Sequence, residues 1–128
     1  MRVSLDVQFE DSRGKIADLL VNESIDAITY ITFTPGAVRG NHYHKQTTQW
    51  TFVIAGSVLY ASCRPGEPVK TEVLSVGDFV VAAPNEVHAF RAGVEPAEIL
   101  VFTKGPRAGF NYEKDTFRLE RPILEAEL

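Results

Sequence analysis

Three histidines, His42, His44 and His88, are the whole histidine complement of this 128-residue chain, and the first two are spaced to act together. On a β-strand, residues i and i+2 leave the same face, so His42 and His44 send their imidazoles into one space. An imidazole takes or returns a proton near neutral pH and is also a common ligand for divalent metals, so a convergent pair serves either chemistry. Gln49 follows five residues after His44 and begins an apolar strand pattern that ends at Gly56, while His88 follows the turn Pro84-Asn85-Glu86. A lone histidine is ordinarily a satisfied core or surface residue. The His-x-His pair, set on a small barrel of the kind that holds a ligand in its mouth, turns the reading toward a functional site.

The elements that must position these rings are strands. Val3, Leu5, Val7 and Phe9 alternate with Ser4, Asp6 and Gln8, the period-two pattern of a half-buried strand, and Asp11-Ser12-Arg13-Gly14 breaks it. Apolar or β-branched runs follow at 16–21, 25–33, 50–54, 57–63, 69–74, 79–82, 87–90 and 99–102, each short and bounded by Gly, Pro, Asn or Asp. Arg64-Pro65-Gly66-Glu67-Pro68 is the clearest hairpin loop, because Pro presets φ and Gly accepts positive φ. No window carries a helical stripe, so the chain reads as one all-β domain over residues 1–128, a sandwich or barrel of nine or ten strands. The stretch 104–128 lacks strand pattern, and its segment 110–117 mixes aromatics with charges. That composition predicts a tail packed over the barrel or against a dimer partner.

Charge and composition narrow the partners. A formal net charge of −4 without any basic run leaves no electrostatic footprint for nucleic acid or an anionic membrane. The N-terminus shows no secretory pattern, no apolar run reaches spanning length, and the single Cys63 forbids an internal disulfide. The expected setting is cytoplasmic. Cys63 lies in an apolar strand pattern away from other soft ligands and reads as a packed thiol without a chemical role. Trp50 and Phe52 alternate around Thr51, and core packing is preferred for them over stacking on a base or sugar.

The stretch Gly36 to Gly56, with His42, His44 and Gln49 inside it, resembles the first motif of the cupin superfamily, and Gly77 to His88 resembles the second. The resemblance implies an all-β cupin fold, a double-stranded β-helix or jelly-roll barrel. It also implies that His42, His44, Gln49 and His88 occupy the positions that bind a divalent metal in many cupins. Gln49 stands where the usual ligand is Glu, and a neutral amide is the weaker donor, so binding of Zn, Fe, Mn or Ni stays open. Two shorter segments are similar to cupins of nucleotide-sugar metabolism. Asp11-Ser12-Arg13-Gly14 is similar to an Asp-x-Arg-Gly segment of sugar epimerases and ketoisomerases, and Arg39-Gly40-Asn41-His42-Tyr43-His44-Lys45 with Gln49 is similar to a run of the sugar 3,4-ketoisomerases, in which glutamine is normal and no metal is used. The same run also resembles the zinc-holding cupin of capsular polysaccharide reductases.

What this implies is an isomerase or epimerase of a nucleotide-linked keto-deoxy sugar in polysaccharide biosynthesis, working as a homodimer. Moving a carbonyl along a sugar, or inverting a centre beside it, needs a base for an acidic proton and a donor for the enediolate oxygen. The resemblance makes His44 the base, with His42 orienting it or polarising the carbonyl. Arg39 reads either as a clamp for an oxyanion or diphosphate through its planar fork, or as an ordinary surface arginine. Arg13 reads either as a phosphate contact across a dimer interface or as part of a tight turn, and the turn is preferred. Tyr30 is a candidate proton donor; Tyr43 alternates with the histidines and is expected to face away. Two other classes stay open: a metal-dependent cupin such as a dioxygenase or small-molecule isomerase, and a noncatalytic sugar- or metabolite-binding module.

Overall fold

The computed structural model describes residues 1–106 and 113–126. Strands account for nearly all of its regular structure: β1 (Asp6–Asp11), β2 (Gly14–Asp18), β3 (Ala27–Phe33), β4 (Val38–Tyr43), β5 (Thr48–Ala55), β6 (Ser57–Cys63), β7 (Lys70–Ser75), β8 (Phe79–Ala82), β9 (Val87–Ala92), β10 (Ala97–Lys104) and β11 (Phe117–Arg118). All pairings between them are antiparallel. One sheet runs in the order β3-β10-β5-β8 and a second in the order β11-β4-β9-β6-β7. Their inward positions meet in one core, with Phe33, Val53, Ile99 and Val101 from the first sheet against Val58, Tyr60, Leu74 and Phe90 from the second. Each buried aliphatic or aromatic side chain contributes about 1.5–3 kcal/mol through removal from water. The result is the jelly-roll barrel that the cupin resemblance implies, within the sandwich-or-barrel class suggested by the strand pattern.

Strict alternation decides what faces inward. On β5 the buried residues are Gln49, Thr51 and Val53, so Trp50 and Phe52 stand on the outer face, half-buried. This corrects the expectation that they are core: Phe52 instead joins an outer aromatic layer with Phe79 and Phe102. On β3 the same rule leaves Ile28 and Tyr30 outside and exposed, with Ile31 packed on the core.

The N-terminal pattern also folds differently from its expectation. Residues 1–3 run beside β8, through the Val3 N–H to the Phe79 carbonyl and the Val81 N–H to the Met1 carbonyl. The β1–β2 hairpin then forms a separate two-stranded sheet, and Val7, Phe9 and Ile16 are exposed on it rather than half-buried.

Two strands escaped the apolar pattern, β4 with its Arg, Gly, Asn and His content, and the short β11. β11 extends the second sheet by pairing with β4, Phe117 opposite Tyr43 and Arg118 opposite His42. Farther along, Leu124 is buried on the outer face of that sheet against Ala61 and Ala89. Of the aromatic tail segment, Phe110, Asn111 and Tyr112 lie outside the described residues.

Candidate functional site

The imidazoles meet between the two sheets, and a β-bulge makes the meeting work. Along β4 the register runs Gly40 opposite Ala89 and then His42 opposite His88, with the irregularity at Asn41. Asn41 takes a left-handed φ of 57°, a conformation Asn tolerates. The extra residue switches the face, so Gly40 lies toward the outside while His42 turns inward beside His88. Gly40 itself has φ +97°, and a Cβ there would sit 2.8 Å from the His88 carbonyl oxygen, so only glycine lets β4 approach the histidine strand this closely.

His42 and His88 are 4.7 Å apart between ring centroids, His42 and His44 4.9 Å, and His44 and His88 5.3 Å. His44 and His88 are almost fully buried and His42 partly so. One ligand atom from each of the three rings falls within 4.8 Å of the others, close enough for the trio to hold a metal ion. Gln49 enters from the opposite sheet, buried, with Oε1 3.3 Å from His44 Nε2 and Nε2 3.4 Å from the Thr51 hydroxyl. On the far side of His44, Nδ1 lies 2.7 Å from the backbone carbonyl oxygen of Asp115.

Asp115 belongs to the tail, in the short turn 113–115. Its carboxylate accepts hydrogen bonds from the Lys45 and Gln46 backbone N–H groups and from the Thr47 hydroxyl. Burial alone would push this carboxyl up. The Thr47 hydroxyl, the two N–H groups and the neighbouring His44 outweigh it and hold the group below the usual carboxylate range. Nothing in the residue type announces the contact to His44, because it is made by the main chain; sequence reasoning missed Asp115 for that reason.

The other candidates do not converge with the rings. Tyr30 is corrected as a proton donor: it sits on the outer face of β3, and its hydroxyl bonds the Glu98 carboxylate on neighbouring β10. Arg39 reaches from β4 across to β3, where Nε and Nη2 donate to the Thr32 carbonyl and the guanidinium lies over the Phe33 ring. Arg13 closes the hairpin turn, its guanidinium and backbone N–H both bonded to the Asp11 carboxylate, which is the turn geometry expected of Asp11 to Gly14. Tyr43 faces away from the histidines and stacks on Phe117 at 5.4 Å. Cys63 is only half-buried, and that burial still pushes its thiol up, away from a reactive thiolate. Among the described residues no helix is long and apolar enough to cross a membrane.

A jelly-roll barrel with a His-x-His pair at the end of one strand and a third histidine on the strand beside it defines a class by fold and site together. Residues 29–103 match the family model described as "Cupin domain", and the chain belongs to that family. Solved structures of similar fold include a 3,4-ketoisomerase from Helicobacter canadensis, 23% identical with a TM-score of 0.75 over 93% of this chain and 90% of that one. A variant of the 3,4-ketoisomerase QdtA from Thermoanaerobacterium thermosaccharolyticum, in complex with TDP-4-keto-6-deoxyglucose, is 20% identical, with a TM-score of 0.73 over 93% and 86%. The RmlC epimerase of Mycobacterium tuberculosis is 16% identical, with a TM-score of 0.71 over 92% and 67%. At these identities the likeness is one of fold. No curated protein matches the sequence.

Proposed function

We propose that this cupin is an isomerase or epimerase of a nucleotide-linked keto-deoxy sugar and that it moves protons through histidine. The observation that carries the reading is the convergence of His42, His44, His88 and Gln49 inside the barrel, with His44 oriented on its Nδ1 side by a backbone carbonyl. Such a ring removes the acidic proton beside a sugar carbonyl, leaving an enediolate, and returns it at the neighbouring carbon or on the opposite face. His42 polarises the carbonyl oxygen as the charge develops. The ligand named for the QdtA complex supports the substrate class. Arg39 and Arg13 are the candidates for the diphosphate, Arg13 from a second copy in a homodimer, since its hairpin stands apart from its own barrel. The setting proposed is cytoplasmic.

A second reading, a metal-dependent cupin, is favoured by the three-imidazole cluster itself. With metal–nitrogen bonds of about 2.0–2.1 Å, donors around one ion lie roughly 3.4 Å apart, a separation that small side-chain rotations reach from the 4.8 Å spread. His42, His44 and His88 would hold the ion and Gln49 would stand beside it as a neutral donor. A bound divalent ion supplies Lewis-acid polarisation of a carbonyl oxygen.

Incubation with dTDP- and UDP-linked 4-keto-6-deoxy sugars in deuterated solvent tests the first reading. Deuterium is expected at a carbon beside the carbonyl, and His44→Ala is expected to slow its entry by roughly 10²–10⁴-fold. No exchange with any keto-sugar overturns the proposal, and stoichiometric iron, nickel or manganese in the purified protein favours the second reading.

A further inference from the structure

We infer that Asp115 is the positioning residue of the site: carried in by the C-terminal segment, it holds the His44 proton on Nδ1 and makes Nε2 the working nitrogen. The catalytic consequence of this inference rests on the proton-transfer reading proposed above; the structural part stands without it.

The Asp115 backbone oxygen, 2.7 Å from His44 Nδ1, has lone pairs and no proton, so the hydrogen between the two atoms belongs to the ring. This holds for the neutral and the cationic imidazole alike. A free histidine side chain in water carries its neutral-state proton mainly on Nε2, so the protein imposes the less common tautomer. Nε2 is then the nitrogen that gives, takes or ligates.

The same residue secures its own carbonyl. Three donors from the residues directly after His44 converge on the buried Asp115 carboxylate, the Lys45 N–H at 2.9 Å, the Gln46 N–H at 3.0 Å and the Thr47 hydroxyl at 2.7 Å. Side chain and main chain of Asp115 thus grip consecutive pieces of one loop, and the carbonyl cannot drift without breaking those bonds. A residue serving only to cap the loop would need the three carboxylate bonds and not the fourth contact to a buried ring.

Gln49 completes the arrangement on the other side. Its amide lies between His44 Nε2 and the Thr51 hydroxyl. A half-turn of the amide exchanges its oxygen and NH₂, and the hydroxyl serves as donor or acceptor, so Gln49 can accept from a protonated Nε2 or donate to a bare one. A carboxylate could only accept. An amide here suits a nitrogen that must exist in both states, with Nδ1 fixed throughout.

Nitrogen-15 NMR of histidine-labelled protein at neutral pH tests the inference, with His44 assigned by comparison with His44→Gln. In the wild type, Nδ1 is expected to carry the proton; a neutral His44 with its proton on Nε2 overturns the proposal. Asp115→Ala is expected to shift the ring toward the Nε2–H tautomer and to lower the maximal rate of sugar C–H exchange by about 10–100-fold, with KM little changed. Asp115→Asn, which keeps one carboxyl-type oxygen for the loop, is expected to recover part of both. A folded Asp115→Ala protein with an unaltered His44 spectrum also overturns it. Should that variant fail to fold, the wild-type spectrum and Thr47→Val, which removes one of the three anchoring bonds, carry the test. If the wild type exchanges no sugar proton, the proposed function fails, while the tautomer still decides the role of Asp115.

Discussion

Gln49 sets the charge of the histidine cluster. Three imidazoles and one amide bring no negative charge to the space between the sheets, so a divalent ion placed there keeps its full charge in a buried setting. Gln49→Glu adds a carboxylate at a position already facing His44 Nε2. Divalent metal affinity, measured by calorimetry with zinc or nickel, is expected to rise by about tenfold or more. Equal affinity in the two proteins would mean that Gln49 is not placed to share an ion with the histidines. At this scale the sequence was readable where chemistry followed from side-chain type and a short period: the i, i+2 spacing of His42 and His44 was enough to bring their rings within 4.9 Å. It was unreadable where register decided. Tyr30 has the type of a proton donor, but alternation along β3 puts Thr29 and Ile31 on the inward side and leaves the phenol against Glu98 outside.

Asn41 joins the bulge of β4 to the tail. Its side-chain oxygen accepts from the Ile123 and Leu124 backbone N–H groups, and its amide donates to the Leu124 carbonyl. The residue that turns His42 inward therefore also seats Leu124 on Ala61 and Ala89. Asn41→Ala removes all three bonds and places a Cβ-bearing residue without a local side-chain partner at φ 57°. A loss of about 2–4 kcal/mol is expected by urea titration, and a loss under about 0.5 kcal/mol would show that the tail is not held this way. The β7–β8 turn offers a pH-dependent counterpart. The Ser75 backbone N–H and Arg2 both favour the ionised Asp78 carboxylate and hold it below its usual range. A carboxyl lowered in the folded state stabilises fully above its unfolded pKa, near 4, and that stabilisation vanishes as pH falls through the folded value. Asp78→Asn should cost about 1 kcal/mol at pH 7, a figure already reduced for partial exposure, with the difference closing as pH falls through the lowered folded value. A difference that stays constant down to pH 2 would rule this out. Apolar strands such as β5, β6 and β10 were legible as short apolar or β-branched runs, whereas β4 was not, since its identity depends on pairing with β9 some fifty residues away.

At the scale of the whole molecule, one element is left without cover among the described residues. β1 and β2 pair only with each other, and a two-stranded hairpin alone in water is marginally stable. Phe9 and Ile16 stand opposite one another across it, 51% and 63% exposed, and Val7 is 45% exposed. The outer face of the β3-containing sheet is apolar as well, with Ile28 64% and Tyr30 56% exposed. The alternation of Val3 to Phe9 predicted a half-buried strand, and the described residues of one chain do not supply the surface that would bury it. The homodimer proposed above would supply one, since hairpin and sheet face are both present on every chain and can cover each other reciprocally in a two-fold dimer. Light scattering after size exclusion is expected to give a dimer at micromolar concentration. Phe9→Lys combined with Ile16→Glu removes the apolar pair without touching the barrel core, and should yield a monomer whose barrel still unfolds cooperatively. Amide exchange separates the outcomes at the hairpin itself: protection of the β1–β2 amides is expected in the wild type and its loss in the variant. A wild-type monomer with a fully protected hairpin would mean that the hairpin holds itself, and would also remove the route by which Arg13 could reach a neighbouring copy's histidines.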